Sequence, residues 1–511
     1  MPSILLKCPS NQLTKPLLSK TLISDYYRVP HPANVHKVDD THIRITWPEA
    51  TIPSATVHMP YPVEGHPRQT ISTATLATKG AGLAYHLPTE LLRGTLHILR
   101  SQLFEWEQQG LRISKMVQEK IASASLAFKD VLMTPEELRD ELANTALKTA
   151  LDMSQFLADT YTDQALAARR TQNSSFPVLM GGVVGPDAPF QKIAPHFWEA
   201  FNTTIVSMPW KRLAEDEVRP PGSPDEFLHD PNETSEDPWI ALDERLAATS
   251  QQSSTVFAGP IISFDPIKLP PGVPLTHRLK RQMIDISCEH LIRVVERYQD
   301  SVDHWILADG FAQPWLSEMT PEDRVEILGQ LIIEFRGVAP HSPCLLAFDQ
   351  PWGEYLTSGE ETEPPFRWAD ALLQAMPDLD GVVLEINLAD HTHASRTRPP
   401  LAFARMIDYW SCLGIPLYLS LSVPGGEGED PLARFQTIHS TVPDWTLREQ
   451  QEWIHRYIRM ALTKPPVKGI FWNAICDSAP HDFPHTGLFD THNKAKPGLK
   501  KLTGIRKAFL E

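Results

Sequence analysis

The sequence predicts an α/β protein whose larger part is a (β/α)8 (TIM) barrel, preceded by a small β domain and a helical segment. From residue 176 to the end, eight apolar strand-like runs alternate with eight segments of helical pattern. The runs are almost continuously apolar, which is typical of parallel strands covered by helices. Eight such units over about 335 residues fit a closed barrel better than an open sheet.

The strand-like runs and the helix candidates follow one another in strict alternation. The runs lie at 177–184, 203–208, 255–259, 305–308, 345–348, 381–386, 416–423 and 467–475. The helix candidates lie at 190–201, 239–250, 275–298, 321–337, 366–375, 401–413, 447–462 and 496–510. Two helices open with a capping pattern, Thr320-Pro321-Glu322-Asp323 and Thr446-Leu447-Arg448-Glu449. The acidic, proline-rich insertion from Val218 to Asp237 predicts a long surface loop.

Two segments of different character precede the barrel, which is assigned to 173–511. Residues 1–87 predict a β-rich domain, because 42–47 and, more loosely, 71–76 alternate apolar and polar side chains. Residues 88–172 predict a helical segment, with leucines and aromatic residues at helical spacing from Leu91 to Trp106. Thr134-Pro135-Glu136-Glu137 has the residues of a helix start, and that helix is expected to reach about Arg170.

Charge and composition exclude several classes of function. The 511 residues carry a net charge of −16, which argues against nucleic-acid binding, since phosphate recognition needs a basic face. No run of about 18 apolar residues occurs, so no membrane partner is expected. The five cysteines are widely spaced, and the N-terminus lacks a signal-peptide pattern, so we expect reduced thiols and a cytoplasmic protein. Nothing in the sequence indicates a cofactor or an oligomeric state.

Carboxylates and tryptophans recur after the predicted strands, where a barrel of this class carries its site. The carboxylates are Asp187, Glu215, Asp216, Asp265, Asp309, Asp349, Glu354, Glu385, Asp390, Glu427, Glu429, Asp477 and Asp482. The tryptophans are Trp210, Trp315, Trp352 and Trp472. Aromatic rings stack on sugar C–H faces, and carboxylates bind hydroxyls or act as acid and base. The pattern therefore favours a saccharide ligand.

Several of these motifs resemble glycoside hydrolase family 10, the endo-β-1,4-xylanases. The matching stretches are Phe201 to Lys211, Val295 to Tyr298 with His304-Trp305, Asp380 to Glu385, Gly469 to Trp472, Gly487 to Asp490, and Lys496-Pro497. Their order and spacing agree with the family's strands 2, 4, 6 and 8 and its closing loop, over about residues 177 to 510. The resemblance implies a (β/α)8 barrel acting on O-glycosidic bonds of a β-linked saccharide.

The sequence departs from that family at the positions that carry its chemistry. The family ends strand 4 with Asn-Glu, the glutamate being the general acid/base, whereas this chain has Asp309-Gly310. The family's nucleophile is a glutamate on strand 7, where residues 417–422 contain no acid. The family's strand-3 histidine corresponds to Pro260. The chain is thus interpreted as a divergent member without the two usual glutamates, and whether it is an enzyme stays open.

Three hypotheses remain from the sequence. In the first, a relocated carboxylate pair hydrolyses a β-linked saccharide. The candidate catalytic residues are Asp309, Glu385, Asp349 and Asp477, and the candidate substrate-binding residues are Trp210, Lys211, Trp315, Trp352, Trp472 and His485. In the second, the barrel binds a carbohydrate, or serves as a scaffold, without catalysis. The third is a metal-dependent hydrolase using His391, His393, His481 and His485; the preferred interpretation of these residues is solvent-exposed loop histidines, and no metal is predicted.

Overall fold

Two small sheets form the N-terminal part of the chain. The computed structural model describes residues 1–9, 14–48, 52–78, 83–214, 238–250, 252, 254–436 and 445–511. The first elements are β1 (Ser3–Lys7), α1 (Lys15–Ser19), β2 (Leu22–Ser24), β3 (Pro30–His31), β4 (Asn34–Lys37), β5 (His42–Thr46), β6 (Ser54–Met59), β7 (Ile71–Ser72), β8 (Leu76–Ala77) and β9 (Tyr85–His86). One sheet has the order β4-β5-β1-β9; the other has β3-β2-β6-β7, with β8 also paired to β6. Burial alternates along β1 and β5, as the period-two pattern requires.

Three long helices follow the sheets. They are α2 (Leu87–Gln108), α3 (Lys115–Met133) and α4 (Arg139–Gln172), and both α2 and α3 pack on α4. The expected start at Thr134 is displaced. The Thr134 hydroxyl donates to the carbonyl of Asp130 at 2.7 Å, a 3-10 turn spans Glu136–Leu138, and α4 begins only at Arg139.

A closed parallel barrel occupies the remainder of the chain, as predicted. Its strands are β10 (Leu179–Val184), β11 (Thr203–Val206), β12 (Thr255–Ala258), β14 (His304–Asp309), β15 (Cys344–Asp349), β16 (Gly381–Asn387), β17 (Leu417–Ser422) and β18 (Val467–Trp472), with the two-residue β13 (Ile262–Ser263) beside the end of β14. The order runs β12-β11-β10-β18-β17-β16-β15-β14, and β12 also pairs with β14 through Phe257↔His304 and Ala258↔Trp305, which closes the ring.

Helices between the strands cover the barrel. They are α5 (Phe190–Ala200), α6 (Trp210–Leu213), α7 (Pro238–Ser250), α8 (Lys280–Tyr298), α9 (Pro321–Val338), α10 (Pro365–Ala375), α11 (Pro400–Trp410), α12 (Leu447–Trp453), α13 (Arg459–Leu462) and α14 (Pro497–Phe509). A π-helical stretch, Ile454–Ile458, joins α12 to α13. Both predicted capping boxes form, at Thr320 and Thr446. The insertion 218–237 lies outside the described residues, as do Glu215 and Asp216.

The barrel separates an inner core from an outer one. The inner cluster consists of Ile205, Phe257, Ile306, Leu345, Ala347, Val383, Tyr418 and Phe471. The outer cluster lies between strands and helices and continues into the N-terminal sheets and α2–α4. Because side chains of a strand alternate between its two faces, neighbours such as Phe471 and Trp472 belong to different clusters.

The N-terminal helices are fastened to one side of the barrel by polar contacts as well. Arg405 on α11 donates to the Gln102 side chain at 2.7 Å. Arg456 pairs with Asp159 at 3.1 Å, and Arg459 with Asp163 at 2.5 Å. α2 and α4 therefore cover the side formed by α11, α13 and the π-helical stretch.

Two further expectations from the sequence concern membrane-spanning helices and the state of the cysteines. Among the residues that the structure describes, no helix is both long and apolar enough to cross a lipid bilayer. All five cysteines are free; Cys412 is exposed, and the other four are buried.

Candidate functional site

Three of the four predicted catalytic acids meet at the carboxyl-terminal mouth of the barrel. Asp309, Asp349 and Glu385 lie at the ends of the adjacent strands β14, β15 and β16. They line two adjoining cavities of about 250 and 40 Å³, which together are called the recess. The two cavities share Lys268, Asp309, Glu385, Asn387, Asp482 and Phe483. The strand ends of a parallel barrel thus gather side chains that are distant in sequence.

Strand periodicity directs two of these acids inward. Ala347 and Val383 belong to the inner core, and Asp349 and Glu385 follow each of them by two residues. β15 and β16 pair in register, with Asp349 opposite Glu385. The two carboxyl groups hydrogen-bond to each other.

A β-bulge directs the third acid inward. Ile306 faces the inner core, so simple alternation would turn Asp309 towards the helices. The register between β14 and β15 instead passes from Ile306↔Leu345 to Ala308↔Leu346, which leaves Leu307 without a counterpart. Ala308 and Leu346 both face the outer core, so the following residue, Asp309, faces inward.

Gly310 occupies a position that does not suit a glutamate. Its φ is +71°, in the left-handed region that favours glycine. A Cβ atom there would lie 3.2 Å from the backbone nitrogen of Asp265 and 3.4 Å from the Trp315 ring. An acidic side chain at 310 would therefore strain this loop, and Asp309 supplies the carboxylate at the end of the strand.

The three acids hold protons more tightly than ordinary carboxyl groups. Burial raises the pKa of Asp309 to about 6; Lys268 opposes this rise and Asp349 adds to it. Burial, the charge of Asp349 and the hydrogen bond with Asp349 raise the pKa of Glu385 well above its usual range. Burial also raises the pKa of Asp349, although the hydrogen bond from Glu385 opposes the change. Glu385 therefore carries the shared proton and donates it to Asp349.

Two cations and two further acids also line the recess. Lys268 lies 3.4 Å from Asp482, and Arg434 lies 2.6 Å from Asp265 and 3.6 Å from Asp482. The charge of Asp482 is the largest influence raising the pKa of Lys268, with Asp309, Glu385 and Asp265 adding to it. Sequence patterns did not single out Lys268 or Arg434, because loop residues without periodicity carry no signal of their position.

Neutral polar groups occupy the side of the recess formed by β17 and β18. The Ser422 hydroxyl donates to Asn387 Oδ1 at 2.7 Å, and Asn473 Nδ2 donates to the same oxygen at 2.9 Å. Ser420 also lines this side. Beside the seventh strand, which has no acid in its sequence, the recess is lined by a network of hydroxyl and amide groups.

Aromatic rings form a wall over the acids. The rings of Trp315 and His393 lie 5.9 Å apart, and those of His393 and Phe435 lie 4.9 Å apart. Phe435 also contacts Phe483 and His391, at 5.3 and 4.7 Å. Trp315 is held in place by its indole N–H, which donates to the carbonyl of Gly310 at 3.0 Å.

Two tryptophans predicted to bind substrate are instead part of the core. Trp210 and Trp472 are each only 1% exposed. Trp472 follows the inward-facing Phe471, so it points to the helices, and its indole donates to the carbonyl of Thr486 at 2.9 Å. Trp210, on the short helix α6, packs beside His290. Neither ring lines the recess.

Three other predicted binding residues lie outside the lining of the recess. Lys211 is exposed on α6. Trp352 is partly buried beneath the guanidinium of Arg398, 5.4 Å from its ring centre. His485 receives a hydrogen bond from Lys496 through its carbonyl oxygen, while its backbone N–H donates to Asp430 at 2.8 Å. Of the six predicted binding residues, Trp315 is the one that lines the recess.

Asp477 holds the last loop together and does not line the recess. Its Oδ2 lies 2.5 Å from Lys496 Nζ, and its Oδ1 accepts a hydrogen bond from the backbone N–H of Gly487 at 2.7 Å. Both charged side chains are buried. The expectation that Asp477 is one of the catalytic pair is therefore not supported by its position.

The histidines proposed as metal ligands do not gather into one site. His391 and His393 belong to the aromatic wall, and burial is the main cause that lowers the pKa of each. Within the described ranges, one group has metal-ligand spacing, and it comprises Asp430, Asp477 and His481. Both acids of this group already have partners within the protein: Asp430 pairs with His481 at 3.0 Å, and Asp477 pairs with Lys496.

Comparisons with known proteins find likeness in fold. No protein-family model and no curated protein matches the chain. Xylanase 10B from Thermotoga petrophila RKU-1, solved in complex with xylobiose, is 15% identical over 66% of this chain and 95% of its own, with a TM-score of 0.44. A GH10 protein from Paenibacillus barcinonensis is 12% identical over 68% and 98%, at 0.45. A β-glucuronidase from Ruminococcus gnavus is 12% identical over 64% and 48%, at 0.41. All three are similarities at 15% identity or less.

Proposed function

We propose that this protein is a glycoside hydrolase that cleaves O-glycosidic bonds of a β-linked saccharide bound in the recess. The observation that supports this most is the convergence of Asp309 with the Asp349–Glu385 pair in one recess. Glycosidases use two carboxyl groups with different affinities for protons. The recess contains such a set, beside an aromatic wall on which a sugar ring would stack.

The two roles follow from the environment of each acid. Asp309, with a pKa raised to about 6, is the general acid that protonates the leaving oxygen as the glycosidic bond breaks. Asp349, whose ionised form is favoured by the hydrogen bond that Glu385 donates, is the base or nucleophile. Water supplies the hydroxyl group of the new reducing end.

Release of reducing ends from a panel of β-linked oligosaccharides tests the proposal. We expect Asp309→Asn and Asp349→Asn each to lower turnover by about 100-fold or more, the usual contribution of a general acid or base. Asp300→Asn is the matched control, since Asp300 is exposed and follows α8 at the opposite end of the barrel. Full turnover by an Asp309→Asn/Asp349→Asn double variant would exclude these roles.

The neutral side of the recess favours a second candidate, a barrel that binds saccharides without cleaving them. Asn387, Ser422 and Asn473 occupy the side where the xylanase-like pattern would carry a nucleophile, and they bond to one another. Their hydroxyl and amide groups suit sugar hydroxyls. Saccharide binding without release of products, unchanged by Asp349→Asn, would establish this candidate instead of the hydrolase.

A further inference from the structure

The recess carries more negative than positive charge. Its described lining includes six carboxyl groups, those of Asp187, Asp265, Asp309, Asp349, Glu385 and Asp482, and the cations Lys268 and Arg434. Both cations already face acids, Lys268 at Asp482 and Arg434 at Asp265. The remaining acids respond by holding protons, since burial and mutual repulsion raise the pKa of Asp309 and Glu385. The site therefore lacks positive charge.

One carboxylate oxygen of Asp309 lacks a hydrogen-bond donor among the described residues. Asp309 is only 6% exposed, and its Oδ1 has no hydrogen-bond partner among the residues that the structure describes. A buried carboxylate oxygen without a donor is costly, so such a group indicates a missing donor. Asp309 lines both cavities of the recess, where a ligand would reach it.

We propose, building on the saccharide site above, that the recess selects a saccharide with a free amino group, whose ammonium donates to Asp309 Oδ1 while Asp309 Oδ2 carries the proton of the general acid. An ammonium supplies both the donor and the positive charge that the site lacks. The carboxylate of a uronate would be repelled by the excess of carboxylates in the recess. A metal ion fits less well than an ammonium, because the single described group with metal-ligand spacing contains none of the six recess acids, and its one member in the lining, His481, is paired with Asp430.

Binding to a set of oligosaccharides that differ in one substituent tests this specificity. The full-length protein is titrated by calorimetry with β-1,4-linked tetramers of glucosamine, N-acetylglucosamine and glucose, and with free glucosamine, galactosamine, glucose and galactose. We expect the amino forms to bind about 10- to 100-fold tighter than their neutral counterparts, as a charge-assisted hydrogen bond would provide. The preference should shrink as salt is raised.

Variants separate this preference from general binding. Asp309→Asn should reduce the affinity for the glucosamine tetramer to that for the glucose tetramer, and Asp482→Asn should reduce the preference several-fold. Asp300→Asn removes one negative charge far from the mouth and should leave the preference unchanged. Circular dichroism of each variant confirms that it is folded.

The outcomes distinguish this inference from the proposed hydrolase. Equal or tighter binding of the neutral or N-acetylated forms would overturn the inference while leaving the hydrolase proposal standing. A strong preference for the amino forms without any release of reducing ends would uphold the inference and remove the hydrolase. If none of the saccharides binds, the inference is overturned, and release of reducing ends from the wider panel decides the hydrolase proposal.

Discussion

Asp349 and Glu385 lie directly opposite each other in adjacent parallel strands, and their carboxyl groups share a hydrogen bond. Two like charges in such proximity cannot both be ionised at low cost, so one proton remains on the pair. Asp309, at the end of the next strand, is then the recess acid whose charge changes near pH 6. The pair fixes where the proton is held, and Asp309 determines how the charge of the recess responds to pH.

Replacing Asp309 by Asn should change how the thermal stability depends on pH. The pKa of Asp309 rises from 3.8 to about 6 on folding, so the folded state binds the proton more tightly. This favours folding at low pH, and the advantage is lost as pH rises from about 4 through about 6. The loss amounts to about 3 kcal/mol, at about 1.4 kcal/mol per tenfold change. The Asp309→Asn variant has no carboxyl group at this position and does not lose stability in this way. The Tm of the variant minus the Tm of wild type should therefore increase between about pH 4 and pH 7.5.

The exposed Asp300→Asn variant serves as the control for this measurement, since its Tm difference from wild type should not vary with pH. A Tm difference for Asp309→Asn that is constant, or that falls as pH rises, would show that burial does not raise the pKa of Asp309.

Much of the barrel could be predicted because its signals are local and repeated. Each of the eight apolar runs overlaps one barrel strand, and the capping boxes at Thr320 and Thr446 form as their spacing indicates. Asp349 and Glu385 could be assigned to the mouth from their place at the strand ends. The inward direction of Asp309 could not be derived from alternation, because it depends on a bulge that the sequence does not mark.

The roles of single side chains beyond the strands were less predictable. Trp472 ends β18, and Asp477 lies in the loop that follows it. Trp472 faces the helices, whereas Asp477 forms an ion pair with Lys496. Lys268 and Arg434 come from loops whose course is set by tertiary packing. Position along the chain locates a loop at the mouth, but it does not tell which of its side chains turn into the recess.

The tryptophans Trp315 and Trp472 should respond in opposite ways to truncation. Trp315→Ala removes a ring of the aromatic wall and should weaken saccharide binding by roughly fivefold, since ring stacking contributes about 1 kcal/mol. Trp472→Ala empties a buried core position and should cost about 3–5 kcal/mol of stability. Calorimetric titration and thermal unfolding measure the two effects. Weakened binding by folded Trp472→Ala, with Trp315→Ala unaffected, would contradict the assignment of these two rings.

Arg324 should prove essential for the loop that carries Trp315. Its buried guanidinium pairs with Glu361 at 2.5 Å and donates to the carbonyls of Phe311 and Leu316 at 3.3 and 2.8 Å. Arg324→Met leaves Glu361 buried without its partner, so we expect a loss of about 3–5 kcal/mol in unfolding free energy. Saccharide binding should weaken as well, because the loop is no longer held.

The matched control is Arg367→Met, which removes an exposed arginine 3.7 Å from Glu363. Such a pair contributes at most about 1 kcal/mol, so the Tm should hardly change. Similar Tm losses for the two variants would mean that the Arg324–Glu361 pair is not buried as described.

Asp477 and Lys496 offer a test of whether a predicted catalytic acid is structural. Asp477→Asn leaves the buried ammonium of Lys496 without its partner and should cost about 3–5 kcal/mol, whereas Asp477→Asn/Lys496→Met removes both charges and should regain part of that loss. Thermal unfolding of wild type, both single variants and the double variant completes the cycle. Turnover per folded molecule should stay close to wild type in Asp477→Asn, since the residue does not line the recess. A loss of turnover comparable to that of Asp309→Asn, at unchanged Tm, would return Asp477 to the catalytic residues.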